Sequence, residues 1–437
     1  MTDMVSRRSK TLPEVVPVTG RGGYVDALSL FLPVALVITS LIFAGLSAST
    51  LLPWRKFAGS GSVLRFLSFL PMLLAAVVFS ITLRPNHLVR NFHLTLKANW
   101  YLTVLTLLSI PGAVYARFVL ALPSSYFTQS FMLLAFFAVY FVLLRVPDVY
   151  WRQVQSWLVS TFVFVTMLAT IDVFRNVVLI GSKSQPNTIL ILLMGFVLFF
   201  YVTSKWPRFL LLTFLGMLIF FTFKNTAVIA FITIVVGFYL FPKKSLRKVS
   251  IYNIIGFTFA AGVVATGALI GYWLLQTQFA GFSTGNTTFR MIIYQYRFEQ
   301  FLASPFYGQL FTGETVYTFK SLFNSATVPT HSDWLDILAQ GGLLGMFLFV
   351  GVFLRTSFLM IKTRHITIPN DIRSAAIASW VLVSLSAFII MSLFNSILNT
   401  PEIALIFWFM LAFGHRVARF SAANRLRHQV IVSSPVG

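Results

Sequence analysis

The chain has 437 residues, 57% of them hydrophobic and only 10% charged, with a mean hydropathy of +0.84. Soluble domains are about a quarter charged, so this composition excludes an ordinary water-soluble globule and predicts an integral membrane protein. No cysteine is present, which removes disulfides, thiolate metal sites and cysteine nucleophiles. The formal charge of +22 sits largely beside apolar runs, the pattern of membrane topology rather than nucleic-acid binding.

Residues 1–26 have their basic part far from the first apolar run and no small-residue cleavage site after a short apolar core, so they read as a cytoplasmic tail rather than a cleaved leader. A transmembrane helix needs about 20 largely apolar residues. The sequence predicts about twelve, at roughly 27–47, 62–83, 98–116, 127–145, 154–174, 188–204, 207–223, 225–241, 252–275, 338–361, 375–396 and 401–418. Pro33, Pro71 and Pro111 fall inside three of them and are expected to be packing kinks whose freed carbonyls neighbouring helices satisfy. The fold class is therefore an all-α polytopic membrane protein with one large extracytoplasmic loop before its tenth helix. It divides into a tail (1–26), helices one to nine (27–275), the loop (276–337), helices ten to twelve (338–418) and a second tail (419–437).

An inside N-terminus places about 23 of the 33 Lys and Arg residues in inner loops and tails, in keeping with the positive-inside bias. The loop 276–337 then lies outside. Of the six histidines, His87, His93, His365, His415 and His428 are assigned to inner loops or the tail, and only His331 lies outside. No internal repeat suggests the paired halves of a secondary transporter.

The loop is the one long polar interval. Arg290 and Arg297 are two helical turns apart in FRMIIYQYRFEQFL and so share a face. Their spacing allows bidentate capture of phosphate oxygens, or contact with lipid headgroups and Glu299. Thr330, Ser332 and Asp333 are all good N-cap residues, so a helix is predicted to start here and continue as span ten. His331 would then sit at a positive helix end, where the field keeps an imidazole neutral as a general base requires; a plain surface histidine beside a cap is the other reading. Asp333 and Asp336 share a face at i, i+3 and would orient His331 or balance Arg290, unless Asp333 only caps. Glu314 is a further carboxylate of the loop. No spacing of His, Asp and Glu suits a metal ion, and no GxSxG elbow, P-loop or HExxH occurs. Gly341, Gly342 and Gly345 form a small-residue face for close helix contact.

HSDWLDILAQGGLLGMFLF resembles the His–x–x–x–Leu…Gly–Leu–x–Gly signature of the O-antigen polymerase and ligase superfamily. Upstream, Arg290, Tyr294, Pro305 and Gly308 match that family's Arg–x–x–x–aromatic…Pro–x–x–Gly pattern, with Tyr294 where Trp is commoner. The match covers about 60 residues. One element departs: the family's Ser–Arg–Thr or Ser–Lys–Thr is here Phe223-Lys224-Asn225-Thr226, with the basic residue displaced by one, so Lys224 reaches a phosphate only as a point charge.

The resemblance implies a metal-independent, cofactor-free, inverting glycosyltransferase of the bacterial inner membrane, with its site facing the periplasm. His331 would activate the acceptor hydroxyl. Arg290, Arg297 and Lys224 would bind the diphosphate of a polyprenyl diphosphate-linked oligosaccharide, supported by Tyr294, Glu314, Asp333 and Asp336. Membrane lipids, a chain-length regulator and a flippase are the partners it implies; nucleic acid is not among them. The polymerase subgroup is preferred as the broader one. A ligase passing the glycan to lipid A–core is the rival enzyme, and a lipid-linked glycan flippase or transporter the non-enzymatic alternative.

Overall fold

The computed structural model describes residues 23–49, 60–81, 85–121, 138–180, 186–202, 205–222, 225–241, 284–312, 316–320, 325–329, 332–367, 371–398 and 400–433. Within them the regular secondary structure is helical apart from one hairpin. The elements are α1 (Gly23–Ala48), α2 (Ser60–Ile81), α3 (Pro85–Ala98), α4 (Trp100–Phe118) and α5 (Asp148–Phe174), which ends in a π turn at Arg175–Leu179. There follow α6 (Pro186–Val202), α7 (Lys205–Phe221), α8 (Asn225–Leu240) and α9 (Thr284–Ala303). The antiparallel pair β1 (Val316–Lys320) and β2 (Ser325–Pro329) precedes α10 (Asp333–Thr367), α11 (Ile372–Phe394) and α12 (Pro401–Ser433).

Among the described residues, six segments are long and apolar enough to cross a membrane: Phe31–Ala48, Trp100–Phe118, Asp148–Leu179, Asp333–Thr367, Ile372–Phe394 and Glu402–Arg425. Four shorter apolar helices accompany them, and together these suggest a multi-pass membrane protein. The anticipated span 252–275, most of 127–145, and His331, Lys224 and Glu314 lie outside the described residues.

The bundle is built around α11. Its sequence is apolar all round, which only a central helix tolerates, and nearly every residue of it is buried. It packs on α6, α8, α10 and α12. With no water to expel in lipid, such contacts rest on close packing and internal hydrogen bonds. Phe388 stacks on Phe407 with ring centres 3.6 Å apart, and Trp380 Nε1 donates to the Met194 carbonyl of α6 at 3.0 Å.

One end of the bundle is tied by arginines. Arg355 donates to the carbonyls of Ala98 and Lys97, both at 3.0 Å. Arg416 pairs with Asp148 at 2.8 Å, Arg419 donates to the Leu144 carbonyl at 3.3 Å, and Arg152 pairs with Asp371. These contacts gather the start of α4, the start of α5, the α10–α11 turn and the second half of α12.

Four details depart from the sequence reading. A helix, α3, occupies the 85–98 interval that was read as a loop. His415, assigned to an inner loop or tail, is buried within α12, its Nε2 3.4 Å from Thr356 Oγ1 and its ring 5.3 Å from that of Tyr140. The last helix runs on to Ser433 instead of giving way at 419, because SAANRLRHQV contains no helix breaker. Span ten is broken: at Gly342 the backbone has φ 59°, ψ −158°, and α10 is two helices meeting at a kink.

Candidate functional site

The end of the bundle opposite the arginine ties holds α9, the start of α10 and the α11–α12 turn. Positions 290, 293, 294, 297 and 301 of α9 recur at helical spacing and form its inner side: Ile293 and Arg297 are buried, and Arg290, Tyr294 and Phe301 half-buried. That side lies against α10. Pro305 then halts the helix, since the residue before a proline is driven out of the helical region.

Arg297 is fully buried. Its Nε lies 3.2 Å from Asp336 Oδ1, itself fully buried, and its Nη1 donates to Gln300 Oε1 at 2.7 Å. The structure thus answers the charge of Asp336 with Arg297 and not with Arg290. Arg290 stands two turns earlier on the same side. Its Nε is closed off from solvent and has no hydrogen-bond partner among the described residues. Burial raises the Tyr294 phenol above its usual pKa, the Arg290 charge opposing that shift and Asp336 adding to it. Tyr294 is therefore a neutral hydroxyl one turn from a guanidinium.

Ser332 proves to be the N-cap of α10, its Oγ accepting from the Leu335 N–H at 3.3 Å. Asp333 is freed for another task. Its carboxylate accepts the backbone N–H groups of Ile397, at 2.8 Å, and of Leu398, at 3.0 and 3.1 Å, in the α11–α12 turn. Trp334 strengthens that junction, donating from Nε1 to Ser392 Oγ at 2.9 Å and packing on Phe349 and Phe353. The residue that follows His331 in sequence is thereby held by α10, and the next two by α11 and the turn beyond it.

The remaining piece is a strap, residues 304–312, laid into the break of α10. A broken helix leaves carbonyls free above the break and N–H groups free below it. Here Gln309 N–H donates to the Ala339 carbonyl at 3.1 Å and Phe311 N–H to that of Gln340 at 3.0 Å. In return Leu343 N–H reaches the Pro305 carbonyl at 2.8 Å and Leu344 N–H that of Phe306 at 3.1 Å. Contact is backbone on backbone, so neither side has room for a Cβ. One added at Gly308 would stand 2.6 Å from the Ala339 oxygen, and one at Gly342 would stand 2.5 Å from the Phe306 carbonyl carbon. Both glycines have φ +59°, where other residues are strained. On the far side the strap meets α4, where a Cβ on Gly112 would fall 2.0 Å from the Leu310 oxygen.

Of the residues read from sequence, Arg290, Tyr294, Arg297, Asp333 and Asp336 come together on the α9–α10 junction, alongside Pro305, Gly308 and Gly342. Gly112 was missed; its signal was a Pro-Gly pair inside an apolar span. The link from Asp333 to Ile397 and Leu398 had no local signal, because the partners are 64 and 65 residues apart. Among the described residues no cluster of three or more His, Asp or Glu side chains suits a metal ion. No protein-family model matches the chain, and no curated protein matches it.

Proposed function

We propose that the protein is a polysaccharide polymerase of the bacterial inner membrane. It would transfer a glycan from a polyprenyl diphosphate donor to a lipid-linked repeat unit, at a site on the periplasmic end of an approximately twelve-span bundle. The observation that carries the reading is Arg290: a half-buried arginine whose enclosed Nε has no partner among the described residues, on a helix side locked in place by the neighbouring Arg297–Asp336 pair. A fork of that kind suits diphosphate oxygens, and the resemblance assigns that role to the matching arginine.

In this reaction the acceptor hydroxyl oxygen forms a bond to the anomeric carbon as the bond from that carbon to the phosphate oxygen breaks. Polyprenyl diphosphate departs with the electron pair and the configuration inverts. His331, directly before the Ser332 cap, takes the hydroxyl proton. Arg290 stabilises the charge gathering on the leaving diphosphate; such preorganised stabilisation is usually the largest single contribution to catalysis. Arg297 holds α9 in position through Asp336. Tyr294 stands beside the arginine as a neutral phenol, Asp333 fixes the first turn of α10, Lys224 would reach the diphosphate as a point charge from the same outer side, and Glu314 is a supporting residue.

Purified protein reconstituted with a lipid-linked repeat unit should lengthen the glycan without any ion gradient. His331→Ala should abolish that while the protein still inserts, and Arg290→Lys should lose on the order of a hundredfold in rate. Wild-type rates in both variants would overturn the assignment. Transfer to lipid A–core but not to a repeat unit would turn the reading to a ligase, and no transfer by folded protein would turn it to a transporter.

A further inference from the structure

The outer loop is polar in sequence, which suggests that all of it stands in water. The strap does not fit that picture. Its backbone partners, Ala339 to Leu344, lie well inside α10, one of the helices long and apolar enough to span. Thirteen residues separate Gly342 from Arg355, which meets the exposed Lys97 at the arginine-tied end. At 1.5 Å per residue that is about 20 Å. A second measure, from the same end, comes from α4. Twelve residues separate Trp100, at the same end, from Gly112, which touches Leu310; that is about 18 Å. A hydrocarbon layer is about 30 Å thick; with its inner edge taken at the Arg355–Lys97 contact, both measures set the strap about 10 Å below the outer edge.

We infer that the segment from Leu302 to Phe311 is a re-entrant element whose outer side rests against the acyl chains of the outer leaflet. Three observations support it beyond depth. The first is the change in the exposed face along the chain. In α9 that face is mixed, with Met291, Gln295 and Glu299, and from Leu302 onward it carries only apolar or aromatic large side chains. Phe306 is 69% exposed, Tyr307 61% and Leu310 58%, which water would not favour over so short a stretch.

The second observation is continuity. Leu343, Leu344 and Phe347 of α10 are also exposed, and Leu344 is hydrogen-bonded to Phe306. The strap therefore extends a face that a membrane span presents to lipid. The third is hydrogen bonding. Irregular backbone survives at membrane depth only where protein satisfies its polar groups. From Gly308 to Thr312 every backbone N–H is donated, to the carbonyls of Ser304, Ala339, Tyr307, Gln340 and Gln309 in turn. A segment lying in water has no need of such complete pairing.

The absence of cysteine makes the test direct. Phe306→Cys, Tyr307→Cys and Leu310→Cys are each spin-labelled in the full-length protein in phospholipid nanodiscs. Collision with oxygen, which concentrates in hydrocarbon, is compared with collision with a water-soluble nickel chelate. Phe347→Cys is the lipid-facing benchmark and Lys362→Cys, exposed at the opposite end, the aqueous one. Leu302→Cys replaces any variant that fails to elute as the parent does in detergent. Oxygen-dominated collision at the strap, close to the Phe347→Cys value, is expected. Nickel-dominated collision near the Lys362→Cys value would overturn the inference by placing the strap in water. Low collision with both reagents would overturn it equally, by placing protein, such as a second copy, over this face.

Discussion

Replacing Gly342 with alanine should be among the most damaging single-methyl changes available in this chain. The new Cβ would sit 2.5 Å from the Phe306 carbonyl carbon and 2.6 Å from the Gly308 nitrogen, both backbone atoms that cannot swing aside. The backbone there, φ 59° and ψ −158°, lies in a region that is essentially glycine-only, and a strained residue costs about 1–3 kcal/mol. Overpacking a tight contact adds about 1–3 kcal/mol more, so a loss of about 2–6 kcal/mol is expected. Gly345→Ala, three residues on, is the control. Its Cβ would meet nothing nearer than 3.4 Å, and alanine is favoured over glycine inside a helix by up to about 1 kcal/mol. Thermal unfolding of both variants in the same detergent, followed by intrinsic tryptophan fluorescence, reads the difference. Equal melting of Gly342→Ala and the parent, or equal damage from both substitutions, would refute the interlocked-backbone account.

The buried Arg297–Asp336 pair should behave non-additively. Asp336→Ala alone should cost about 3–5 kcal/mol by leaving a buried charge, while Arg297→Met with Asp336→Leu should recover most of it; additive losses in denaturant unfolding would refute the pairing. Asp333→Ala should cost about 1–3 kcal/mol for each backbone N–H left unsatisfied, and Asp333→Asn less, because one acceptor oxygen remains. Limited proteolysis near residues 395–400 checks this, with faster cleavage expected in the alanine variant. At Asp371, burial alone would push the carboxyl pKa up, but hydrogen bonds from Arg152 and Ser374 outweigh it and hold the value below the usual carboxylate range. Its stabilising contribution is therefore complete above that ordinary range and is lost as pH falls through the lowered native value. The acid limb of a melting-temperature profile should be shallower in Asp371→Asn, and an unchanged limb would remove Asp371 as a contributor.

Much of the frame was legible in the chain itself. Apolar runs of about 20 residues mark membrane helices because lipid leaves no alternative for the backbone, and most of the anticipated spans that fall in described residues are helices within a few residues of their expected bounds. The helix over FRMIIYQYRFEQFL and the cap at Thr330–Asp333 were readable for a similar reason: helical period and capping are local properties. What Arg297, Asp333 and Asp336 do was not readable. Arg290 and Arg297 have the same spacing, the same face and the same charge, and only the approach of α10 decides that one is consumed by Asp336 while the other keeps an enclosed nitrogen unpartnered among the described residues. Asp333 looked like a cap by every local rule, yet it serves a turn 64 residues away. The Gly341-Gly342 pair likewise read as a smooth contact face. Its conformation depends on a second backbone segment entering the helix, and the free energy of that exchange belongs to neither segment alone.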